Sequence, residues 1–270
     1  MSALTYDTDA TGLIVGVGLM GQYLARHTPQ WLGLRKLILA DYGVEISVGL
    51  ERRSLSDFCE EIAEQSGIEV VAESVDVASE AAMQALMGRH QGIRYFAYTA
   101  GISPKPLTPP EKLTKEDVLG ACEVNLWGAH NLLKQGISAG SFSSRAHGVI
   151  MVSTSGTVGS EGRASAAYEV SKGGLTNLLE LQARYFLEEH GLVLNGLAPS
   201  PLRGPMAAQN PVSAARLQAV EDAMPIGGLV DPSHIAAAIM YFWANECWCV
   251  GEVLTTDGGY TKHKPVYGAL

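Results

Sequence analysis

The chain has 270 residues, of which 47% are hydrophobic and 17% charged, and its formal net charge at pH 7 is −9. This length and apolar content suit one large domain, residues 1–270. The negative charge, with no stripe of Lys or Arg, argues against nucleic acid or an anionic membrane surface as a partner. Residues 1–10 are polar and acidic, unlike a signal peptide, and no apolar run is long enough for a membrane span, so we expect a cytoplasmic protein.

In chain order, short β-branched runs alternate with longer helical patterns. Seven runs predict strands: Leu13–Val17, Leu37–Ala40, Glu69–Ala72, Tyr95–Tyr98, Gly148–Ser153, Val193–Leu197 and Glu252–Thr256. The stretches between them predict helices: Met20–Trp31, Leu55–Ser66, Ser79–Gly88, Lys115–Ser138, Tyr168–Glu189 and Pro232–Asn245. This alternation predicts a single-domain α/β Rossmann fold, a doubly wound parallel sheet of about seven strands with helices on both faces.

Two proline-containing segments interrupt this rhythm. Ile102–Thr114 carries four prolines, so it is not expected to be helical. Residues 200–228 form a long insert that we interpret as an irregular substrate lid, with a surface excursion as the alternative. Residues 1–10 would be an N-terminal extension and residues 260–270 a C-terminal tail.

A glycine pattern lies between the first strand and the first helix. Gly16, Gly18 and Gly21 form G-x-G-x-x-G. In such a loop the first glycine allows a tight turn, the second lets a pyrophosphate approach the backbone, and the third lets helix and strand pack closely. The phosphates would then lie at the helix N-terminus. The sequence therefore predicts a dinucleotide site.

Asp41 ends the second predicted strand, twenty residues after the last of these glycines. A carboxylate there can accept hydrogen bonds from the adenosine ribose and repel a 2′-phosphate, which favours NAD as the cofactor. The alternative is a capping or turn aspartate. Arg52 and Arg53 are expected at a helix start, where they would not reverse this preference. Asp76, after the third strand, either meets the adenine edge or lies in a turn.

Tyr168 and Lys172 are four residues apart, which places them on one face of a helix. A tyrosine beside a cation can transfer a proton near neutral pH. Tyr260 and Lys264 have the same spacing but precede Pro265, where helical geometry is disfavoured. We therefore select the first pair, which follows the strand that ends in Ser153 and the hydroxyl-rich segment around Ser155.

With Asn125 and the stretches Asn195–Pro199 and Asp257–Gly259, this set resembles the short-chain dehydrogenase/reductase superfamily from about Leu13 to Gly259. The resemblance implies a catalytic group of Asn125, Ser155, Tyr168 and Lys172. Tyr168 would transfer the proton, Lys172 would favour its phenolate, Ser155 would hold the substrate oxygen, and Asn125 would position a water. The predicted cofactor-binding residues are Gly16, Gly18, Met20, Gly21, Asp41, Asp76, Val77, Ala100, Gly101, Tyr168, Lys172, Pro199 and Leu202.

The chain departs from the family pattern at three loops. The pattern T-G-x-x-x-G-x-G matches residues 11–18 literally, but the apolar strand falls inside that match, which favours the G-x-G-x-x-G register. Residues 98–101 read Tyr-Thr-Ala-Gly where the family has N-N-A-G, and residues 199–201 read Pro-Ser-Pro where it has P-G. These departures support one alternative, a catalytically degenerate partner subunit. A second alternative is an NAD-binding protein without turnover.

The sequence thus predicts an NAD-dependent dehydrogenase that transfers a hydride between a secondary alcohol or 3-hydroxyacyl group and the nicotinamide. The lid side chains Leu202, Met206, Ala207, Val212, Leu217 and Met224 favour a small, mainly apolar substrate. Arg203 or Arg216 could meet an anionic group, although a surface role is favoured. The resemblance implies a homotetramer or homodimer built from the helices at Lys115–Ser138 and Tyr168–Glu189, with a hetero-oligomer of related subunits as the alternative.

No metal site is expected. The seven histidines contain no i, i+4 pair, and the cysteines lack zinc spacing. The cysteines are expected to be reduced thiols with packing roles. They are Cys59, Cys122, Cys247 and Cys249.

Overall fold

The computed structural model describes residues 3–48, 51–104, 108–157, 165–204 and 211–262. The strands in these residues are β1 (Thr11–Val15), β2 (Lys36–Asp41), β3 (Glu45–Val48), β4 (Glu51–Ser54), β5 (Glu69–Ser74), β6 (Ile93–Tyr98), β7 (Phe142–Met151), β8 (Val193–Pro199) and β9 (Val253–Thr256). The α-helices are α1 (Leu19–Leu32), α2 (Leu55–Ser66), α3 (Glu80–Arg89), α4 (Lys115–Cys122), α5 (Gly128–Ser138), α6 (Ala166–His190), α7 (Pro211–Asp222) and α8 (Pro232–Trp243). A π-helical turn, Glu123–Trp127, joins α4 to α5.

Seven parallel strands form the main sheet, in the order β5-β2-β1-β6-β7-β8-β9. β3 and β4 form a separate antiparallel hairpin. The strand order reverses at β1, where Val15 pairs with Ala40 of β2 on one side and with Tyr98 of β6 on the other. A crevice opens beyond the carboxyl ends of the strands at such a switch point. The predicted doubly wound sheet with helices on both faces is confirmed.

Helices cover both faces of the sheet because successive residues of a strand point in opposite directions. Leu13 and Val15 of β1 belong to a core layer that includes side chains of α3, α5 and α6. Ile14, between them, belongs to the opposite layer, which includes side chains of α1, α2 and α8. This double coverage explains why the central strands are apolar at most of their interior positions.

Several elements differ from the sequence-based prediction. β1 begins at Thr11 and ends two residues earlier than expected. The long helix predicted from Lys115 is divided into α4, the π-helical turn and α5. The lid segment contains α7 and is therefore not wholly irregular. Arg52 and Arg53 lie on β4, not at a helix start.

A polar latch ties the N-terminal segment to the amino side of the sheet. The backbone N–H of Thr5 donates to Glu246 (2.8 Å), and its hydroxyl donates to the same carboxylate (2.7 Å). Asp7 accepts a hydrogen bond from Arg94 (2.6 Å), whose guanidinium also reaches Asn245. Arg94 is buried, so Asp7 compensates a charge removed from water. Among the described residues, no helix is both long and apolar enough to cross a membrane.

Candidate active site

A cavity of about 1040 Å³ opens at the carboxyl ends of β1, β2, β5, β6, β7 and β8. All the residues predicted to bind a cofactor line it: Gly16, Gly18, Met20, Gly21, Asp41, Asp76, Val77, Ala100, Gly101, Tyr168, Lys172, Pro199 and Leu202. Ser155 lines it as well, whereas Asn125 does not. The topology thus brings almost the whole predicted site to one crevice.

The loop from Gly16 to Gly21 has the G-x-G-x-x-G register, because residues 11 and 12 lie inside β1. Gly16 has φ +96°, and a Cβ there would lie 2.3 Å from the backbone nitrogen of Ala100. A Cβ at Gly21 would lie 2.0 Å from the carbonyl oxygen of Gly16. These two positions therefore exclude a side chain, for reasons of backbone conformation and close approach.

The N-terminus of α1 faces the cavity and offers a site for an anion. The helix begins at Leu19 with Gly18 as its N-cap, no side chain caps it, and its first turn has no acidic residue. Its first N–H groups and dipole are therefore available to a phosphate. A Cβ at Gly18 would meet no atom within 4 Å, so this glycine leaves open space next to those donors. The arrangement fits a pyrophosphate.

Asp41 connects the end of β2 to the glycine loop. Its Oδ2 accepts a hydrogen bond from Val17 N–H (2.5 Å), and its Oδ1 accepts one from Tyr42 N–H (2.8 Å). The carboxylate also lines the cavity. Asp41 therefore has the turn-stabilising role that was the alternative, while its position still allows the predicted contact with a ribose. Asp76 is similar: it accepts a bond from Ala78 N–H (2.9 Å) and lines the cavity.

Sequence reasoning missed the hairpin of β3 and β4, which forms one wall of the cavity through Glu45, Ile46 and Ser47. The side chain of Gln22 donates to Val17 O and to Ser47 O, both at 2.8 Å, and so joins the glycine loop to the hairpin. The alternation of Val44, Ile46, Val48 and Leu50 with other residues is typical of a strand and could have revealed β3, whereas β4 is polar at all four positions.

The two hairpin arginines are paired with carboxylates. Arg52 pairs with Glu45 (3.4 Å) and Arg53 with Glu61 of α2 (2.5 Å). Arg26 of α1 forms an ion pair with the same Glu61. Neither hairpin arginine lines the cavity.

The Ser153 side chain lies next to the phenol of Tyr168. Burial raises the pKa of Tyr168, and the neighbouring Ser153 hydroxyl opposes that rise. Ser153 directly follows the end of β7, whereas Ser155 lies in a 3₁₀ turn and donates its backbone N–H to Ser153 Oγ (3.2 Å). The serine beside the phenol is thus two positions before the predicted Ser155.

Lys172 is buried beneath Tyr168. Its Nζ donates to the carbonyl of Met151 (2.7 Å) and lies 5.9 Å from the centre of the Tyr168 ring. Burial lowers the pKa of Lys172 to about 7. From the resemblance, the lysine is expected to lower the pKa of Tyr168. In the structure burial dominates for both groups, so the pKa of Tyr168 is raised instead.

Asn125 lies in the π-helical turn and is fully buried. Its Oδ1 accepts a bond from Ile102 N–H (2.8 Å), and its Nδ2 donates to Ile102 O (2.9 Å) and to Ser171 Oγ (2.8 Å). The Ser171 hydroxyl donates to the carbonyl of Tyr168 (2.7 Å). The Asn125 side chain is therefore engaged in joining the loop after β6 to the start of α6.

At the loop that departs from N-N-A-G, a threonine connects β6 to the glycine loop. Thr99 Oγ1 donates to Gly16 O (2.5 Å), and the N–H of Ala100 donates to Val15 O (2.9 Å). These bonds hold Ala100 and Gly101 against the cavity. At the Pro199–Pro201 segment, Ser200 N–H donates to Thr256 O (3.2 Å), which fixes the chain to β9.

The lid contributes apolar side chains to the other end of the cavity. Leu202, Leu217 and Val220 line it. Arg203 forms an ion pair with Glu221 of α7, as the predicted surface role requires. Met224 is buried and packs near Gly258. Residues Met206 and Ala207 lie outside the described residues, as do the side chains of Val212 and Arg216.

Of the rival tyrosine–lysine pair, only the tyrosine is among the described residues, and it does not line the cavity. Tyr260 lies in a turn where its N–H donates to Asp257 O (3.0 Å), and Lys264 lies outside the described residues. In the part of the chain that the structure describes, no three His, Cys, Asp or Glu side chains are grouped to hold a metal ion.

A Rossmann sheet with a glycine loop at its switch point, and with a serine and a tyrosine above a buried lysine, is typical of dinucleotide-binding proteins. A family model described as "Enoyl-(Acyl carrier protein) reductase" matches residues 38–261. The chain therefore belongs to the short-chain dehydrogenase/reductase superfamily, a family of oxidoreductases.

Curated relatives and solved structures agree with this assignment. Over 101 residues the chain is 33% identical to Short-chain dehydrogenase reductase 3c of Arabidopsis thaliana, covering 36% of this chain and 39% of that protein. Over 195 residues it is 28% identical to L-fucose dehydrogenase of Mus musculus, covering 68% of each. The fold matches that of a Pseudomonas aeruginosa RhlG/NADP active-site complex with a TM-score of 0.76 and 20% identity, covering 97% of this chain and 100% of that chain.

Proposed function

We propose that this protein is an NAD-dependent dehydrogenase that interconverts a secondary alcohol and its ketone. The observation that carries the proposal is the placement of Ser153, Tyr168 and Lys172 at the wall of the same cavity that holds the glycine loop. A proton donor and a dinucleotide site therefore share one space. When bound there, the nicotinamide supplies or accepts the hydride.

The residues of the chain have distinct proposed roles. Tyr168 gives a proton to the ketone oxygen or takes one from the alcohol, and Ser153 donates a hydrogen bond to the same oxygen as charge develops on it. Lys172, buried with a pKa of about 7, can lose or regain its proton near neutral pH. The predicted Ser155 remains an additional candidate because it lines the cavity. Asn125 holds the loop at Ile102 in place.

The preference for NAD is proposed from the charges at the adenosine end. Asp41 and Glu45 both line this part of the cavity. The nearest hairpin cations, Arg52 and Arg53, are each paired with a carboxylate. A 2′-phosphate would therefore meet two negative groups without an unpaired cation from the hairpin, which disfavours NADP. The affinity ratio of NADH to NADPH, from fluorescence titrations, measures this preference.

The proposed substrate is small, neutral and mainly apolar around the reacting carbon. Leu202, Leu217 and Val220 support this because they present hydrocarbon to the cavity, and Arg203 is engaged by Glu221. The mouse relative is named for a sugar, L-fucose, which is far more polar. A panel of apolar secondary alcohols, 3-hydroxyacyl thioesters and L-fucose, assayed with NAD and NADP by the absorbance of the reduced nicotinamide, discriminates between these substrate classes.

Three variants test the mechanism. Tyr168→Phe should lower turnover by roughly 10²–10⁴-fold while NADH affinity is kept. Ser153→Ala should lower turnover by roughly 10²-fold, whereas the matched control Ser155→Ala should change it much less. Normal turnover in Tyr168→Phe would refute the proposed chemistry. Equal losses in the two serine variants would refute the assignment of Ser153.

The competing hypotheses are a degenerate partner subunit and an NAD-binding protein without turnover. The first depends on the departures in the cofactor loops, and the bonds that Thr99 and Asp41 make to the glycine loop give it little support. The degenerate subunit predicts no change in NADH fluorescence on mixing. The binding protein predicts NADH binding but no turnover with any member of the panel.

Self-association is proposed through α4 and α6. Leu119 on α4 and Val170, Leu181 and Tyr185 on α6 are exposed apolar side chains on the helices predicted to form the contact. Light scattering after size-exclusion chromatography gives the mass, which distinguishes a homodimer or homotetramer from a chain that needs a related subunit. A cytoplasmic location is also proposed, because all the cysteines are free thiols.

A further inference from the structure

Tyr98 makes a hydrogen bond that the proposed chemistry does not use. It ends β6, is fully buried, and donates its hydroxyl to the carbonyl of Val124 in the π-helical turn (2.5 Å). Gly128 N–H bonds to Glu123 O five residues back, so the Val124 carbonyl lacks the partner it would have in an α-helix. The phenol supplies a donor to it. Burial raises the pKa of Tyr98 far above its ordinary value, which keeps the group protonated.

The approach of this phenol to the helix requires a glycine on the other side. A Cβ at Gly128 would lie 2.3 Å from the hydroxyl oxygen of Tyr98. It would also lie 2.8 Å from a methyl carbon of Val77, which lines the cavity. Tyr98 and Gly128 are therefore sterically matched, and the hydroxyl reaches the π-helical turn only because residue 128 has no side chain.

The turn held in this way carries Asn125, the next residue after Val124. The Asn125 side chain is hydrogen-bonded to the backbone N–H and C=O of Ile102 and donates to the hydroxyl of Ser171, which precedes Lys172. If the π-helical turn relaxed to an α-helix, its backbone hydrogen bonds would shift from i→i+5 to i→i+4. This change would rotate the Asn125 side chain away from these partners. The geometry points to Tyr98 as a positioning residue. Its hydrogen bond fixes the π-helical turn and, through Asn125, the loop at residues 101–102 that lines the cavity. Any effect of Tyr98 on turnover rests on the proposed function.

The chain offers a matched control on the same strand. Tyr95 is also buried, and its phenol oxygen accepts a hydrogen bond from Asp7 N–H (2.7 Å) at the opposite end of β6. Tyr95→Phe and Tyr98→Phe each remove one buried phenol oxygen from β6. Only the second touches the turn that carries Asn125.

The test compares hydrogen exchange of the Ile102 amide, NADH affinity by fluorescence titration, and thermal unfolding in the two variants. We expect both to unfold at a lower temperature, because each loses a buried hydrogen bond. Only Tyr98→Phe should speed exchange at Ile102 and weaken NADH binding, each by about tenfold. Equal effects of both variants on Ile102 and on NADH, or no effect of Tyr98→Phe on either, would overturn the inference.

A second variant covers the case in which Tyr98→Phe does not fold. Gly128→Ala keeps the phenol but displaces its hydroxyl, and it should give the same faster exchange at Ile102; unchanged exchange there would contradict the proposal. The exchange measurement needs no substrate or cofactor. If the wild type bound no NADH, the proposed function would fail, while the comparison at Ile102 would still decide the role of Tyr98.

Discussion

Replacing Lys172 with methionine should stabilise the protein in a way that depends on pH. The side chain is buried, and its pKa falls from an ordinary 10.5 to about 7. Between these values the unfolded chain holds a proton that the folded chain has lost, so raising the pH through this window favours folding of the wild type. Lys172→Met lacks this titration and should follow a flatter curve.

The magnitude follows from the two pKa values. Each tenfold change in the ionisation equilibrium corresponds to about 1.4 kcal/mol, so the full difference approaches roughly 5 kcal/mol below pH 7 and vanishes above about pH 10.5. Between pH 7 and pH 9 it shrinks by about 2 kcal/mol. The lost hydrogen bond to Met151 offsets the gain by about 1 kcal/mol at every pH and does not change the slope.

Urea unfolding without cofactor at pH 7 and pH 9 measures this effect as the difference in free energy of unfolding between Lys172→Met and the wild type. Other groups titrate in both proteins, so their contributions cancel in the difference. We expect the advantage of the variant to fall by about 2 kcal/mol over this interval. A difference that stays constant would show that Lys172 keeps its ordinary pKa and would refute the reasoning.

Two further predictions concern the glycine loop and the polar latch. Gly18→Ala should leave the unfolding temperature unchanged and weaken NADH binding, since its Cβ meets only open space beside the helix N-terminus; Gly21→Ala, whose Cβ would lie 2.0 Å from a backbone oxygen, should destabilise the fold itself. Thermal unfolding and NADH titration separate the two. Asp7→Ala should lower the free energy of unfolding by roughly 3 kcal/mol because it leaves the buried Arg94 without its carboxylate. The control Asp9→Asn keeps a residue type that tolerates the φ of +60° at this position, removes only an exposed contact at 3.9 Å, and should change it by less than about 1 kcal/mol; equal losses in the two variants would contradict this account.

The sequence predicts the sheet and most of the cavity lining because both follow from short-range patterns. Continuous apolar runs mark doubly covered strands, and Gly16, Gly18 and Gly21 mark the loop at the switch point. Asp41 is identified because it ends a strand, and the carboxyl ends of parallel strands meet at one edge. Tyr168 and Lys172 are identified because their spacing matches a helix turn.

The remaining features depend on contacts that no local pattern encodes. Ser153 and Ser155 are both hydroxyls near the end of β7, and only the packing of α6 against that end decides which one reaches Tyr168. The π-helical turn at Asn125 is a one-residue shift within a helical sequence, so composition cannot reveal it. In the hairpin, the alternation of Val44, Ile46 and Val48 is a local signal for β3, but the position of the hairpin at the cavity depends on Gln22 from another element.

The polar latch near the N-terminus also bears on the kinetics of unfolding. Thr5 and Glu246 are 241 positions apart in the chain, so their contact closes a very long loop. The loss of chain entropy on closing such a loop is small only after the sheet between them has formed. Contacts made after the transition state slow unfolding and leave the folding rate nearly unchanged. We therefore expect the latch to slow unfolding more than it changes the rate of folding.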